Sequence, residues 1–309
     1  MARRRRGLPI DGVLLLDKPK GMSSNYALQK ARRLYQAQKA GHTGTLDPMA
    51  TGLLPVCFGE ATKFSSHLLE ADKVYRARIK FGQVTDTGDA EGTVIREREI
   101  PEIAQAELDA VLDRFRGEID QVPPMYSALK HQGRPLYELA RQGIEIERAV
   151  RRVTIYNMAL LARHSDGIEI EVAVSKGTYI RSLAEDIGEA LGCGAHLTAL
   201  RRLKTGPFTG DAMLDFERLE ALADQQAREG VLLPVDILLD HLPCLDITAE
   251  MARMILRGQQ AETTTGSLEV DSLARVYQDQ QLLGLVRIAA EGVIAPRRLL
   301  SSAVEAAAG

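Results

Sequence analysis

Strict alternation between apolar and polar residues in two stretches constrains the fold of this chain more than any other feature. Residues 168–175 read IEIEVAVS, with a period of two. Residues 74–81 show the same period, with one apolar and one basic face. The apolar face carries Tyr75, Ala77, Ile79 and Phe81, and the basic face carries Arg76, Arg78 and Lys80. Such alternation is typical of antiparallel strands that bury one face.

Apolar residues recur at helical spacing elsewhere, near residues 108–115 and 180–191. A further helix is predicted from Ser24, acting as its cap, to about Gln36. The strands and helices do not follow a regular βαβ repeat. We therefore predict an α+β fold with a mixed, largely antiparallel sheet flanked by helices.

The composition is that of a folded globular protein. With 309 residues the chain is long enough for roughly two domains. Hydrophobic residues make up 45% and charged residues 26%, which excludes disorder as the dominant state. The longest uninterrupted apolar run, residues 158–162, has five residues and is far too short to cross a membrane.

The three cysteines lie far apart and form no C-x-x-C pair. Neither a disulfide framework nor a thiolate zinc site is therefore indicated, and we expect a reducing cytoplasm as the location. The basic residues Arg3–Arg6 are followed by only a short apolar run, so a signal peptide is not expected.

Charge does not by itself identify a partner, because the net charge is only -3. Basic residues nevertheless occur in groups: Arg3–Arg6; Lys30, Arg32, Arg33 and Lys39; Arg76, Arg78 and Lys80; Arg201, Arg202 and Lys204. Each group is compatible with a solvated surface. Several groups on one face would instead form a nucleic-acid binding surface.

Common catalytic motifs are absent from the sequence. There is no phosphate-binding G-x-x-x-x-G-K-[ST], no G-x-S-x-G and no H-E-x-x-H. Residues 41–55 contain three glycines and two prolines and are predicted to form a loop. Within it, Asp47 precedes Pro48, which biases the aspartate towards an extended backbone. Asp-Pro also opens ordinary turns, so spacing alone leaves a structural role open.

Residues 41–52, which read GHTGTLDPMATG, resemble the catalytic signature of the bacterial tRNA pseudouridine synthase B family. These enzymes isomerise the T-loop uridine at tRNA position 55. Further matches follow in order over residues 16–24, 59–64, 72–76, 85–89, 124–130, 175–181 and 200–202. Residues 257–259 and 293–299 resemble, more weakly, the PUA-like module that follows the catalytic domain of this family.

The resemblance implies three parts and an insertion. Residues 1–10 form a basic tail and residues 11–243 a pseudouridine synthase domain. Residues 121–152 are an insertion that clamps the tRNA arm. Residues 244–309 form a small PUA-like β-barrel. The insertion supplies Lys130, Arg134, Arg141, Arg148, Arg151 and Arg152 for contacts to the RNA backbone.

The resemblance also implies the catalytic residues. Asp47 matches the catalytic aspartate, which assists cleavage of the N1–C1′ bond and attachment of C5 to C1′. Arg181 matches the arginine that pairs with it and favours its ionised form. Tyr75 matches a tyrosine that stacks on the uracil, and Tyr179 is placed near the base, handling the C5 proton. The sequence is compatible with attack at C1′, attack at the pyrimidine ring and a glycal intermediate.

Other matches concern substrate binding. His42 matches the residue that fills the gap left by the flipped base, and Asp89 one that binds the uracil edge. Lys18 and Lys63 are expected to contact phosphate or to brace the loop. Lys130 and Arg202 complete the set of predicted substrate-binding residues.

The resulting hypothesis is a stand-alone, monomeric enzyme that acts on the T arm of tRNA. The resemblance implies no metal, no organic cofactor, no membrane, no obligatory protein partner and no guide RNA. Three alternatives remain: a guide-RNA-dependent relative, an RNA-folding protein with a vestigial site, and a glycosylase that releases uracil. The retention of Asp47, Tyr75, Tyr179 and Arg181 together argues against a vestigial site, although an added tRNA-folding activity stays compatible.

Overall fold

The computed structural model describes residues 7–308, with side chains to residue 304. The strands are β1 (Gly12–Lys18), β2 (Ala40–His42), β3 (Thr51–Phe58), β4 (Lys73–Phe81), β5 (Gln83–Thr85), β6 (Val94–Glu97), β7 (Gly117–Gln121), β8 (Lys130–His131), β9 (Arg134–Pro135), β10 (Arg151–His164), β11 (Gly167–Val174), β12 (Ala195–Thr205), β13 (Phe208–Thr209), β14 (Cys244–Asp246), β15 (Ala261–Glu262), β16 (Leu273–Gln278), β17 (Gln281–Ala290) and β18 (Val293–Leu299).

The α-helices are α1 (Ser24–Leu34), α2 (Ser66–Leu69), α3 (Gln105–Arg114), α4 (Leu136–Ala140), α5 (Ile180–Ala190), α6 (Phe216–Ala221), α7 (Gln225–Glu229), α8 (Ala249–Leu256) and α9 (Ser301–Ala308). Short 3₁₀ helices cover Gly59–Lys63, Gly210–Ala212 and Val235–Leu239. None of the helices that the structure describes is long and apolar enough to span a membrane.

The main sheet has the order β1-β3-β12-β4-β11-β10-β7. All neighbouring pairs are antiparallel except β3 and β12, which run parallel. Helices α1, α3 and α5 pack their apolar faces on one side of this sheet. The predicted α+β class with a mixed, largely antiparallel sheet is therefore confirmed.

Strand β4 shows why the alternating pattern is informative. Its Tyr75, Ala77 and Ile79 side chains enter the core beneath the helices. The basic side chains face the other way, and two of the three have acidic neighbours. Arg76 lies 3.8 Å from both Glu169 and Glu171 on β11, and Arg78 pairs with Asp166. Lys80 instead donates to the Gln83 side-chain oxygen at 2.9 Å, so this basic face is only partly paired with acidic groups.

The segment 41–55 is only partly a loop, contrary to the prediction. Its ends belong to β2 and β3, which leaves residues 43–50 as the loop. Proline has no N–H to donate to a neighbouring strand. Pro55 is nevertheless tolerated in β3, because β2 ends at His42 and needs no donor there. The Pro55 carbonyl accepts the Thr43 N–H at 3.1 Å. Strand β12, for which the sequence pattern gave no prediction, lies at the centre of the sheet.

Two boundaries differ from the prediction: the start of helix α1 and the end of the N-terminal tail. The cap of α1 is Ser23, whose hydroxyl accepts the Tyr26 N–H at 3.2 Å, and Ser24 is the first helical residue. Residues Arg3–Arg6 of the predicted tail lie outside the described residues. The last part of that tail is folded, because Leu8 bonds to the carbonyl of Gln36 and Ile10 is buried.

A second sheet, of order β14-β16-β17-β18-β15, is formed by residues 244–299. It has its own apolar cluster with α8, and it agrees with the predicted PUA-like module. Leu285 and Leu300 pack against Val13 and Leu15 of β1, on the face of the main sheet opposite α1 and α5. After this sheet the chain continues as helix α9 to Ala308.

We predict that Gly52→Ala destabilises the fold more than Gly117→Ala. Both glycines have positive φ, +97° and +86° respectively, so each change strains the backbone by about 1 to 2 kcal/mol. At Gly52 an added Cβ atom would also overlap the carbonyl oxygen of Arg202 and lie 2.9 Å from the amide nitrogen of Arg202. At Gly117 an added Cβ atom would meet open space. The overlap adds about 1 to 3 kcal/mol. Thermal unfolding midpoints measure the difference, and equal midpoints would contradict the close approach.

Candidate active site

A cavity of about 730 Å³ opens where three segments meet: the loop 43–50, the turn 86–91 and the start of the insertion. Asp47, Asp89 and Arg181 line it together. The structure thus brings together residues that are 134 positions apart in sequence. Such a concave site with converging polar groups is the usual form of an active site.

Arg181 lies in the first turn of α5 and is the central group of the site. Its side chain is only 5% exposed. The guanidinium Nη1 donates to the carbonyl oxygen of Thr87 at 2.8 Å, and Nη2 donates to that of Tyr126 at 2.6 Å. Two backbone carbonyls from different segments therefore fix the guanidinium plane before any substrate binds.

Asp47 pairs with this guanidinium through both carboxylate oxygens. Arg181 Nε lies 3.0 Å from Oδ2, and Nη2 lies 3.4 Å from Oδ1. Burial raises the pKa of Asp47, Arg181 and Lys18 act to lower it, and Asp89 adds to the increase. The carboxylate keeps 34% of its side chain exposed, so a ligand in the cavity can reach it.

Asp89 holds a fixed position on the other side of Arg181. Its Oδ1 accepts hydrogen bonds from the Thr87 hydroxyl at 2.8 Å and from the Glu91 N–H at 3.0 Å. Its Oδ2 lies 3.8 Å from Arg181 Nε. One cation is thus shared by two carboxylates. Asp89 lines the cavity but is only 4% exposed, and its binding of the uracil edge stays a prediction.

The loop 43–50 is braced from below by buried polar groups. The Ser24 hydroxyl accepts the Leu46 N–H at 2.8 Å and donates to the Leu46 carbonyl at 2.9 Å. Lys18 donates to the carbonyls of Met22 and Pro48, at 2.6 and 3.3 Å. Ser24 did not emerge from the sequence as a site residue, since its pattern indicated only a helix cap.

Arg202 does not line the cavity, contrary to its prediction as a substrate-binding residue, whereas Lys18 takes the second of its two predicted roles and braces the loop. Arg202 is 1% exposed, and it donates to the carbonyls of Leu53 and Gly44 at 2.7 and 3.0 Å. Lys18 is fully buried, and burial lowers its pKa to about 8. Both cations therefore support the loop from within. Their types suggested phosphate contacts, but strand pairing places them behind the cavity.

His42 lines the cavity at the end of β2, as expected of a residue that acts on the substrate. Burial and the nearby Arg202 charge lower the pKa of His42, so its imidazole is neutral at neutral pH. Its buried Nδ1 has no hydrogen-bond partner among the described residues. A neutral ring of this kind suits stacking better than charge pairing.

The two predicted tyrosines occupy different environments. Tyr75 is a core residue of β4, 9% exposed. Tyr179 caps α5, and its backbone is held by Gln121, which accepts the Tyr179 N–H at 3.0 Å and donates to its carbonyl at 3.2 Å. Burial raises the pKa of Tyr179. Its phenol is therefore protonated at neutral pH.

Lys63 lies away from the cavity, at the contact with the C-terminal module. It donates to Glu60 at 2.7 Å, to the Leu299 carbonyl at 2.9 Å and to the Ser301 hydroxyl at 2.8 Å. These contacts use its three donors, so it braces the two parts of the chain and leaves no donor for phosphate.

Two cations of the insertion lie at the cavity, and two others form surface ion pairs. Lys130 and Arg141 line it, and Arg141 lies over the ring of Tyr137. Arg148 and Arg152 form ion pairs with Glu145 and Asp120 at 3.3 and 3.4 Å, both on the protein surface. Surface pairs of this kind are weak and can exchange for phosphate contacts.

Some groups of the site carry no sequence signal. The carbonyls of Thr87 and Tyr126 act through the backbone, which residue types do not reveal. Glu91 also lines the cavity, and burial with the charges of Asp89 and Asp47 raises its pKa. Across the described residues no group of three or more histidine, cysteine or acidic side chains could hold a metal ion. The metal-free reaction stays a prediction.

Family models match most of the chain. Residues 32–180 match the TruB family pseudouridylate synthase N-terminal domain, and residues 181–240 the tRNA pseudouridylate synthase B C-terminal domain. Residues 243–300 match the TruB C-terminal domain of pseudouridine synthase II. A tRNA pseudouridine synthase B of Chromohalobacter salexigens is 64% identical over 98% of both chains. The chain belongs to the TruB family. A relative of the same name from Chromobacterium violaceum is 55% identical over 96% of this chain and 97% of its own.

Solved structures support the fold assignment. The crystal structure of a Cbf5-Nop10-Gar1 complex matches with a TM-score of 0.69 and 26% identity, over 94% of this chain and 85% of the matched chain. An H/ACA RNP bound to a substrate RNA containing 2′-deoxyuridine has a TM-score of 0.71 at 23% identity, over 97% and 91%. The predicted pseudouridine synthase fold of this TruB family member is confirmed.

We predict that Asp89→Asn lowers the pKa of Asp47. The change removes a negative charge that raises this pKa, while the asparagine oxygen can still accept the bonds from Thr87 and Glu91. The measurement is a ¹³C NMR titration of aspartate carboxyl carbons, with the Asp47 resonance assigned from Asp47→Asn. Glu97→Gln, an exposed change on β6, is the control and should have no effect. An unchanged or higher pKa of Asp47 would refute the shared-cation geometry.

Proposed function

We propose that this protein converts uridine to pseudouridine at position 55 in the T loop of tRNA. The observation that carries the proposal is the pairing of Asp47 with a fixed Arg181 in an open cavity. The names and the high identity of the curated relatives support tRNA as the substrate. The position within tRNA rests on the match of residues 41–52 to the family signature.

The reaction breaks the N1–C1′ bond, turns the uracil and joins C5 to C1′. The uridine must leave its loop before Asp47 can reach it, and neutral His42 at the cavity wall fills the gap by stacking. Asp47 assists cleavage as a carboxylate at an electron-poor sugar. Arg181 supports the ionised form against the effect of burial.

Recognition of the base uses the groups around this pair. Asp89 binds the uracil edge; its place in the cavity lining beside Arg181 supports this role. Tyr75 stacks on the ring. Because Tyr75 lies in the core, only the small exposed part of its side chain can contact the base. Tyr179 handles the C5 proton. Lys130 and the arginines of the insertion bind the backbone of the T arm.

We further propose that the protein acts alone, as a cytoplasmic monomer without cofactor or guide RNA. The matched chain of the Cbf5-Nop10-Gar1 complex is only 26% identical, whereas the relatives named tRNA pseudouridine synthase B are 55% to 64% identical. The insertion that reaches the cavity mouth gives this chain its own means of holding RNA.

The proposal predicts tritium release from tRNA labelled at C5 of uridine. Wild type should release tritium in step with pseudouridine formed in the T loop. Asp47→Asn should reduce the rate by at least roughly 1000-fold, since the reaction loses its carboxylate. Tritium counting and nucleoside analysis measure both quantities, and filter binding measures tRNA affinity.

Asp109→Asn is the matched control, because Asp109 is an exposed residue of α3 and should leave the rate unchanged. Free uracil in the product would identify a glycosylase. Folded wild type that binds tRNA without releasing tritium would refute the enzyme and leave an RNA-folding role.

A further inference from the structure

Ser24, the first residue of helix α1, carries a buried hydroxyl that lies against the loop holding Asp47. The residue is 1% exposed. Its Oγ accepts the Leu46 N–H at 2.8 Å and donates to the Leu46 carbonyl at 2.9 Å. One hydroxyl therefore satisfies both backbone groups of the residue that directly precedes Asp47. Because 22 positions separate Ser24 from Leu46, this is a tertiary contact and not a local turn.

The residue after Asp47 is held by the same part of the chain. The Pro48 carbonyl accepts the Gly21 N–H at 2.8 Å and a hydrogen bond from Lys18 Nζ at 3.3 Å. The Asp47 carbonyl accepts the Ala50 N–H at 3.1 Å. Three consecutive carbonyls of the loop are thus occupied, so the two peptide groups that flank Asp47 cannot turn freely.

The ion pair with Arg181 fixes a different part of Asp47. The guanidinium binds the carboxylate end of the side chain, with contacts of 3.0 and 3.4 Å. The direction in which the side chain leaves the backbone depends instead on the φ and ψ angles of Asp47. Pro48 restricts these angles on one side of the residue. Ser24 fixes the peptide group on the other side.

We propose that Ser24 is a positioning residue, whose hydroxyl holds the peptide between Leu46 and Asp47 so that the carboxylate reaches the sugar of the flipped uridine. This inference rests on the proposed function. Ser24 acts through Asp47, because its only hydroxyl proton is donated to the Leu46 carbonyl. A displacement of about 1 Å at a reacting group can cost roughly 100-fold in rate. The hydroxyl therefore affects the chemical step and not the binding of tRNA.

Loss of the hydroxyl has a defined local consequence. Leu46 is 3% exposed, so without the Ser24 Oγ neither its N–H nor its carbonyl can reach water in place. Leaving two buried backbone groups without partners is costly, and the peptide is expected to shift until they are satisfied. That movement carries the Cα of Asp47 with it, while the contact between Pro48 and Gly21 remains.

The direct test is Ser24→Ala, which removes a single oxygen atom. Single-turnover tritium release from tRNA labelled at uridine C5, with enzyme in excess, measures the chemical step, and filter binding measures tRNA affinity. We expect the rate to fall by roughly 10-fold to 100-fold with unchanged tRNA affinity. An unchanged rate would overturn the proposal. A tRNA affinity that falls as much as the rate would also overturn it, because Ser24 would then act on RNA binding.

Gln29→Gly is the matched control for the stability of α1. Gln29 lies in the middle of the helix and outside the cavity lining. Glycine in a helix interior weakens the helix, so this variant should lower the thermal unfolding midpoint. At a temperature where both variants are folded, Gln29→Gly should keep the wild-type rate. An equal loss of rate in Gln29→Gly would show that the stability of α1 alone matters, and would overturn the role of the hydroxyl.

Ser24→Thr and Ser24→Val decide the question if Ser24→Ala does not fold. The two side chains have almost equal shape, and only threonine carries the hydroxyl. The threonine variant should react at least roughly 10-fold faster than the valine variant, and equal rates would overturn the proposal. Amide hydrogen exchange at Leu46 should be faster in the valine variant, with residues 86–91 and 124–129 unchanged. Wild type without activity would instead refute the proposed function, and with it the positioning role, before any variant is compared.

Discussion

The guanidinium group of Arg181 joins three segments that are far apart in the sequence. It binds the Thr87 carbonyl of one turn, the Tyr126 carbonyl of the insertion and the carboxylate of Asp47. A buried cation without these acceptors would be costly, so each segment is held where the charge needs it. The ion pair is therefore a structural joint, and it also opposes the increase that burial causes in the pKa of Asp47.

Beneath this joint, the sheet supplies rigid support for the loop that carries Asp47. Strand β12 places Arg202 against the Gly44 carbonyl, and β1 places Lys18 against that of Pro48. Lys18 and Arg202 thus hold the loop on the side of the sheet, and Arg181 holds it on the side of the cavity. The remaining wall of the cavity is formed by the insertion, the part of the chain that we propose binds RNA. Precise placement of the reacting group is what such support provides.

Much of the fold followed from the sequence, because Tyr75, Ala77 and Ile79 alternate with charged residues and so specify a half-buried strand. The loop ends were misjudged, since Gly52 and Pro55 suggest breaks but lie within β3. Lys18 and Arg202 donate to backbone carbonyls, and Lys63 donates to one carbonyl and two side chains of residues far from the cavity. Residue type reveals a charge, whereas the tertiary fold decides whether that charge faces solvent, so their roles could not be read from the pattern.

The role of Arg181 as the joint is tested most directly by amide hydrogen exchange in Arg181→Met. The account predicts faster exchange in residues 43–50, 86–91 and 124–129 together, with β4 unchanged. Arg32→Met is the matched control, because Arg32 also binds two backbone carbonyls, those of Ala37 and Gln38. It should affect only its own surroundings. Unchanged exchange in the three segments of Arg181→Met would contradict the account.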